Sequence, residues 1–152
     1  MHNPQASEPH RQQPLQDPAM TPRPLRLPPG VDLRRELERM VREGHIGSGF
    51  IVAGIGSLAG AVIRFAGDDA ETSIPGPHEI LTLSGSLSRD GAHLHASVAN
   101  RSGQVHGGHV CYGNTVRTTA ELLLLETPDW NLSRTHDAAT GYQELRVGPR
   151  PA

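Results

Sequence analysis

The sequence predicts a β-rich chain that carries one packing helix. Three observations predict it. A length of 152 residues suits one domain with a tail to spare. One stretch, Asp32 to Gly44, sets its apolar residues at helical spacing. Most of the chain beyond Gly44 is a run of short apolar or alternating segments bounded by Gly, Pro, Asn and Asp, which is the pattern of strands.

Composition narrows the classes of function. Hydrophobic residues make up only 36% of the chain, and the deficit is concentrated at the N-terminus, so the remainder can still build a core. Aromatics are 3%, which leaves that core to Leu, Ile, Val and Ala. The formal net charge is −2, the basic residues are all arginine, and many have acidic neighbours, as in Arg34-Arg35-Glu36. This is not the clustered basic footprint that grips phosphates. Cys111 is the single cysteine, so no intrachain disulfide can form, which fits a reducing compartment. The N-terminus lacks the charged-then-apolar pattern of a signal peptide. The longest apolar stretch, Phe50 to Ile63, is short for a membrane span and broken by glycines. The expectation is a cytoplasmic protein with no membrane partner.

Residues 1–22 are rich in Pro, Gln, His and acidic residues and cannot offset their ordering entropy by burial, so they read as a disordered tail. The domain is expected over 23–147, with 148–152 as a loose C-terminal tail. Pro24 to Leu27 suits an edge strand, where proline is tolerated. Pro28-Pro29-Gly30 turns the chain. Asp32 caps a helix whose Leu33, Leu37, Met40 and Val41 face inward, and Gly44 ends it. Arg34, Arg35, Glu36, Glu38, Arg39 and Arg42 read as its solvated face.

Gly49 to Ile55 reads as a buried strand. The glycines of Gly54-Ile55-Gly56-Ser57-Leu58-Ala59-Gly60 superficially resemble a phosphate loop. A dinucleotide fingerprint needs a helix next, whereas Ala61 to Phe65 continues as strand. The spacing is also wrong for a P-loop. The glycines mark tight turning or close backbone approach instead. Gly67 to Pro77 reads as a loop. His78 to Leu87 is the next strand, with Ile80, Thr82 and Ser84 on one face and Glu79, Leu81 and Leu83 on the other. Asp90-Gly91 signals a hairpin turn. Thr115 to Glu126 is a long strand, stopped by Pro128, and Trp130 to Thr135 and Tyr142 to Val147 are final strands.

The candidate site lies in the hairpin that starts at Ala92-His93-Leu94-His95-Ala96 and returns through Gly107-Gly108-His109. Strand alternation puts His93 and His95 on one face, and Ala92, Leu94, Ala96 and Val98 on the apolar face. A three-residue loop ending in a left-handed Gly103 pairs Asn100 with Gln104 and so sets His95 opposite His109. A two-residue loop would bring His106 to that face instead. The glycine favours the first register. Three neutral imidazoles with an open fourth position suit zinc, and also other divalent metals. An isolated His-x-His would usually be a solvated pair. The third histidine and the two glycines make a divalent metal, zinc first, the expected cofactor. Cys111, facing His93 in this register, is expected to be a buried thiol, with a fourth thiolate ligand as the alternative.

These motifs carry a resemblance. Leu27-Pro28-Pro29-Gly30-x-Asp32-Leu33, Gly54-Ile55-Gly56-Ser57-Leu58, Glu79-Ile80-Leu81-Thr82-Leu83-Ser84-Gly85, His93-Leu94-His95 and Gly107-Gly108-His109-Val110 resemble, in that order, the plants-and-prokaryotes conserved (PPC) domain of the stand-alone prokaryotic type. The resemblance implies an α+β fold: an antiparallel-rich mixed sheet with one main packed helix, assembled as a homotrimer. The family is commonly labelled DNA-binding, through Arg-Gly-Arg-Pro motifs in plant members. Here Pro22-Arg23-Pro24 stands without a Gly-Arg-Pro core.

The hairpin also resembles, more distantly, the metal site of acetolactate decarboxylase. Carried over, that likeness makes His93, His95 and His109 metal ligands and puts Glu79 near the metal, as a further ligand or a general acid/base. The remaining carboxylate and arginine of that enzyme have no counterpart that can be placed here, so its reaction does not transfer. Three functions are expected from these readings. The first is a metal-binding trimer that acts on or senses a small molecule, as a metal-dependent lyase or hydrolase if it is an enzyme. The second is a DNA-associated regulator, which the charge does not support. The third is a structural or protein-interaction trimer.

Overall fold

A computed structural model describes residues 20–150. The segment read as a tail lies outside the described residues as far as residue 19. Strand β1 (Thr21–Leu27) begins two residues before the expected domain boundary, because it pairs along its whole length with the long strand β8 (Val116–Glu126). Helix α1 (Leu33–Arg42) comes next in the chain. Asp32 caps it by accepting from the Arg35 amide at 3.0 Å, and Gly44, at φ 74°, lets the chain leave its C-terminus.

The remaining strands are β2 (Gly49–Leu58), β3 (Ala61–Arg64), β4 (Thr72–Ile74), β5 (His78–Ser88), β6 (Gly91–Asn100) and β7 (Val105–Val110). They form with β1 and β8 one eight-stranded sheet in the order β1-β8-β2-β5-β6-β7-β3-β4. Its pairings are antiparallel throughout the described residues, so the expected mixed sheet has no parallel pair there. The loop expected from Gly67 to Pro77 contains the short edge strand β4, which the acidic and proline-rich surroundings concealed. A separate hairpin, β9 (Trp130–His136) with β10 (Gln143–Pro149), ends the chain. Gly148 and Pro149, expected to be loose, are therefore paired.

One connection shapes the sheet. β2 lies third in the order and β3 seventh, yet only Ala59 and Gly60 join them. Three Cα–Cα steps reach about 11 Å, whereas four strand spacings in a flat sheet measure about 19 Å. The sheet must therefore curl. Leu33, Leu37 and Val41 of α1 join one buried cluster with Ile51, Leu58, Ile63, Leu83, Leu94, Val98 and Leu124 from the strands. No phosphate loop forms at the glycines of β2. A Cβ on Gly56 would stand 2.3 Å from the Thr119 carbonyl oxygen, so that glycine serves close backbone approach.

The alternation expected along β5 breaks at Leu81. The register with β6 shifts between Ile80 and Thr82, and this bulge brings Ile80 and Leu83 to the same buried face while Leu81 is exposed. Close approach recurs where β7 passes β3. A Cβ on Gly108 would lie 2.5 Å from the Arg64 carbonyl oxygen and 2.9 Å from Ile63 Cγ2. Gly108→Ala is expected to push the two strands apart and cost about 1–3 kcal/mol, the usual range for overpacking. Urea unfolding measures it, and a loss below about 0.5 kcal/mol, the level of an ordinary surface substitution, would refute the close approach.

Candidate metal centre

The hairpin of β6 and β7 has the register expected from Gly103. Gly103 has φ 79°, the Asn100 amide donates to the Gln104 carbonyl oxygen at 3.0 Å, and His95 stands opposite His109. His106 pairs across from Val98 and lies beside Phe65, with ring centroids 6.5 Å apart, away from the other histidines. His93, His95 and His109 converge: one nitrogen from each lies within 4.8 Å of the other two. His93 Nε2 and His95 Nε2 are 3.1 Å apart. Two nitrogens bound at 2.0–2.1 Å to a tetrahedral ion would be separated by about 3.4 Å. The pair thus fits a zinc-sized ion with little rearrangement.

Burial and nearby charge favour the neutral forms of His93 and His109. Partial burial pushes His109 down to about 4, and the Arg34 and His93 charges add to the effect. Burial likewise lowers His93, helped by Arg134 and His95. Neutral imidazoles are the form that ligates metal. Arg34, which can only donate, points Nη1 at His109 Nε2 at 3.3 Å, which puts the ring proton on Nδ1; an ion at Nε2 would take that single lone pair and leave Nη1 to the Val110 carbonyl oxygen. That Nδ1 is buried and has no hydrogen-bond partner among the described residues.

The helix face read as solvated supplies two more members of the site. Arg34 and Glu38 flank the apolar stripe of α1; Glu38 turns toward the start of β6 and Arg34 toward the end of β7. Glu38 is only 8% exposed. Its carboxylate accepts from Arg34 Nε at 3.0 Å, the Ala92 amide at 3.1 Å and the Tyr112 hydroxyl at 2.9 Å. Arg34 also donates to the Val110 carbonyl oxygen at 3.1 Å, and its guanidinium carbon lies 4.5 Å from the centre of the Tyr112 ring. Arg34 is thereby fixed beside His109. From the terminal hairpin, Arg134 donates through Nη2 to Ser86 Oγ at 2.7 Å, and Ser86 stands opposite His93. Sequence signals for these residues were weak. Only the four-residue spacing of Arg34 and Glu38 hinted at a pair, and nothing local marked Arg134.

Two expected members are elsewhere. Glu79 pairs with Ala99, whereas the β5 residue opposite His95 is Ser84, five positions further along. At about 3.3 Å per residue, Glu79 lies about 16 Å down the strand, beside Asn100, Arg101 and Arg117. It is not near the histidines within this chain, because strand pairing rather than sequence order sets the distance. Cys111 does not face His93 either. The β6–β7 ladder stops at His95 and His109, and the Cys111 amide donates instead to the Val62 carbonyl oxygen at 3.1 Å. The thiol is buried and its pKa is raised, first by burial and then by Glu71.

A cleft of about 680 Å³ opens over the histidines, between α1 and the terminal hairpin. The fold and this cleft together describe a small curled-sheet domain with a three-histidine pocket. The chain belongs to the Plants and Prokaryotes Conserved (PCC) domain family, whose model matches residues 15–128. It is 43% identical over 144 residues to the bifunctional protein GlmU of Synechococcus sp. (strain JA-2-3B'a(2-13)), a match that takes in 95% of this chain and 23% of that protein. The chain thus spans less than a quarter of the curated relatives it matches, 23% and 22% of their lengths. Among solved structures, a hypothetical protein from Salmonella enterica is 36% identical, with a TM-score of 0.83 over 90% of this chain and 99% of that one. The metal-containing protein AF0104 from Archaeoglobus fulgidus is 29% identical, with a TM-score of 0.67 over 82% of this chain and 91% of that one.

Proposed function

We propose that this chain is a metal-binding PCC-domain protein, with zinc held by His93, His95 and His109, that acts on or senses a small molecule. The observation that carries the reading is the convergence of three ligand nitrogens within 4.8 Å of one another. The likeness to a protein described as metal-containing supports it. Zinc with three protein ligands keeps an open position, where it polarises a carbonyl or activates water, the chemistry of a lyase or hydrolase. The chain's own residues supply the rest. Glu38 holds Arg34, and Arg34 and Arg134 set positive charge on either side of the histidines. The cleft volume of about 680 Å³ falls in the range of small-molecule sites.

The reading includes a homotrimer. Val52, Ile55, Leu81 and Leu123 are exposed on the neighbouring strands β2, β5 and β8. Exposed apolar residues on adjacent strands support assembly with further copies of the chain. The DNA-binding label of the family gains no support from a net charge of −2.

Elemental analysis of the purified protein tests the metal. About one equivalent per chain is expected in the wild type, with little in His93→Ala/His95→Ala. Equal metal in both would sink the site. Sedimentation of the same samples reads the assembly.

A further inference from the structure

The terminal hairpin lies beyond residue 128, where the family's model stops, yet it closes one side of the histidine cleft. Its docking is specific. Leu132 is buried, the Arg134 amide donates to Asp90 Oδ2 at 2.8 Å, and the Arg134 side chain reaches over β5 to Ser86 Oγ. The guanidinium is held by uncharged partners: Ser86 Oγ and the Gln143 carbonyl oxygen, the latter at 3.1 Å from Nη1. Its Nε is buried and has no partner among the described residues. Each Nη carries a second N–H beyond these bonds, and Glu144 and Asp90 act on the guanidinium only through space; a partly buried guanidinium with donors to spare and no directly bonded carboxylate is an unfinished anion site.

The rest of the cleft has the same sign. Five arginines (34, 42, 64, 89 and 134) line it against three acids, Glu38, Asp90 and Glu144. Glu38 is already engaged by Arg34, Tyr112 and the Ala92 amide.

We propose that the terminal hairpin completes an oxyanion subsite, in which Arg134 binds the carboxylate or phosphate group of a small-molecule ligand lying against the three histidines. The assignment deepens the reading of this cleft as a small-molecule site. It gives the hairpin a role in choosing the ligand: Arg134 reads the ligand's charged end, while the histidine end of the cleft takes its reacting or coordinating end. Planar, forked donors favour carboxylate and phosphate oxygens, and lysine does not reproduce that geometry.

The test is calorimetric titration of the full chain with glycolate and, separately, inorganic phosphate, on metal-loaded and chelator-stripped protein. Binding of at least one anion is expected, weakened by about tenfold or more in Arg134→Gln, the loss of one charge-assisted pair, and less in Arg134→Lys. Glycolate alone binding identifies a carboxylate ligand, and phosphate alone a phosphorylated one. Arg146→Gln removes the same charge from the same hairpin, but its side chain bonds Thr135 Oγ1 rather than the cleft, so it should bind as the wild type does. No binding of either anion overturns the proposal. So does equal affinity in wild type and Arg134→Gln, or an equal loss in Arg146→Gln. A wild type that holds metal but no anion defeats the subsite alone. One that binds anion through Arg134 but holds no metal defeats the metal reading alone.

Discussion

His109→Ala is expected to weaken metal binding by at least about 100-fold, since even partners one bond removed from the metal are worth 10–100-fold. That factor corresponds to about 2.7 kcal/mol. The argument is geometric. His93 and His95 come from one strand two residues apart and place two nitrogens side by side. His109 comes from the neighbouring strand, and its nitrogen turns a pair into a three-point cluster. Two imidazoles from one strand resemble a common surface chelate, which loses metal to a moderate competitor. Competition against a chromophoric chelator gives the affinity. A His109→Ala protein that holds metal within threefold of the wild type would mean that the ion is held elsewhere.

Glu38→Ala is expected to cost about 3–5 kcal/mol, the range for removing one partner of a buried ion pair. The carboxylate has three kinds of donor around it: a guanidinium, a backbone amide and a phenol. Alanine leaves all three unsatisfied in a region where both members of the Arg34–Glu38 pair are mostly shielded from solvent. The midpoint of thermal unfolding should fall by on the order of 10 °C. Glu38→Gln keeps the shape and one acceptor oxygen and should recover part of the loss. A midpoint within about 1 °C of wild type for the alanine variant would show that solvent replaces these bonds freely.

How far the sequence could be read depended on whether a signal was local. The histidine register was legible because Gly103 fixes the loop, and loop length fixes which side chains meet. The cap at Asp32 and the stop at Gly44 are likewise written within a few residues. The faces of β5 were misread because one extra residue at Leu81 reverses the alternation, and a bulge has no reliable mark in a single sequence. Arg34 and Glu38 looked like solvated charge because they flank the apolar stripe. Only the curl of the sheet, which brings β6 against that flank, makes them interior. Glu79 and Arg134 moved in opposite directions for the same reason. The first sits on the right strand at the wrong height, and the second comes from a hairpin whose docking place is a tertiary fact.

The two-residue link between β2 and β3 also leaves the far edge of the sheet lightly held. β2 can pair with β5 and β8, and β6 with β7, through hairpins and returns that need no β3. β3 gains a neighbour on the β2 side of the sheet order only once the histidine hairpin presents β7. That ladder holds two residue pairs, Ile63↔Val110 and Arg64↔His109, against ten between β5 and β6, and an edge held by so few pairs opens first. The edge made by β3 and β4 is accordingly the part of the sheet that opens most readily, and its amide hydrogens should exchange with solvent before those of β5 and β6. The histidine hairpin is therefore the support of the sheet's last edge as well as the place where three imidazoles meet.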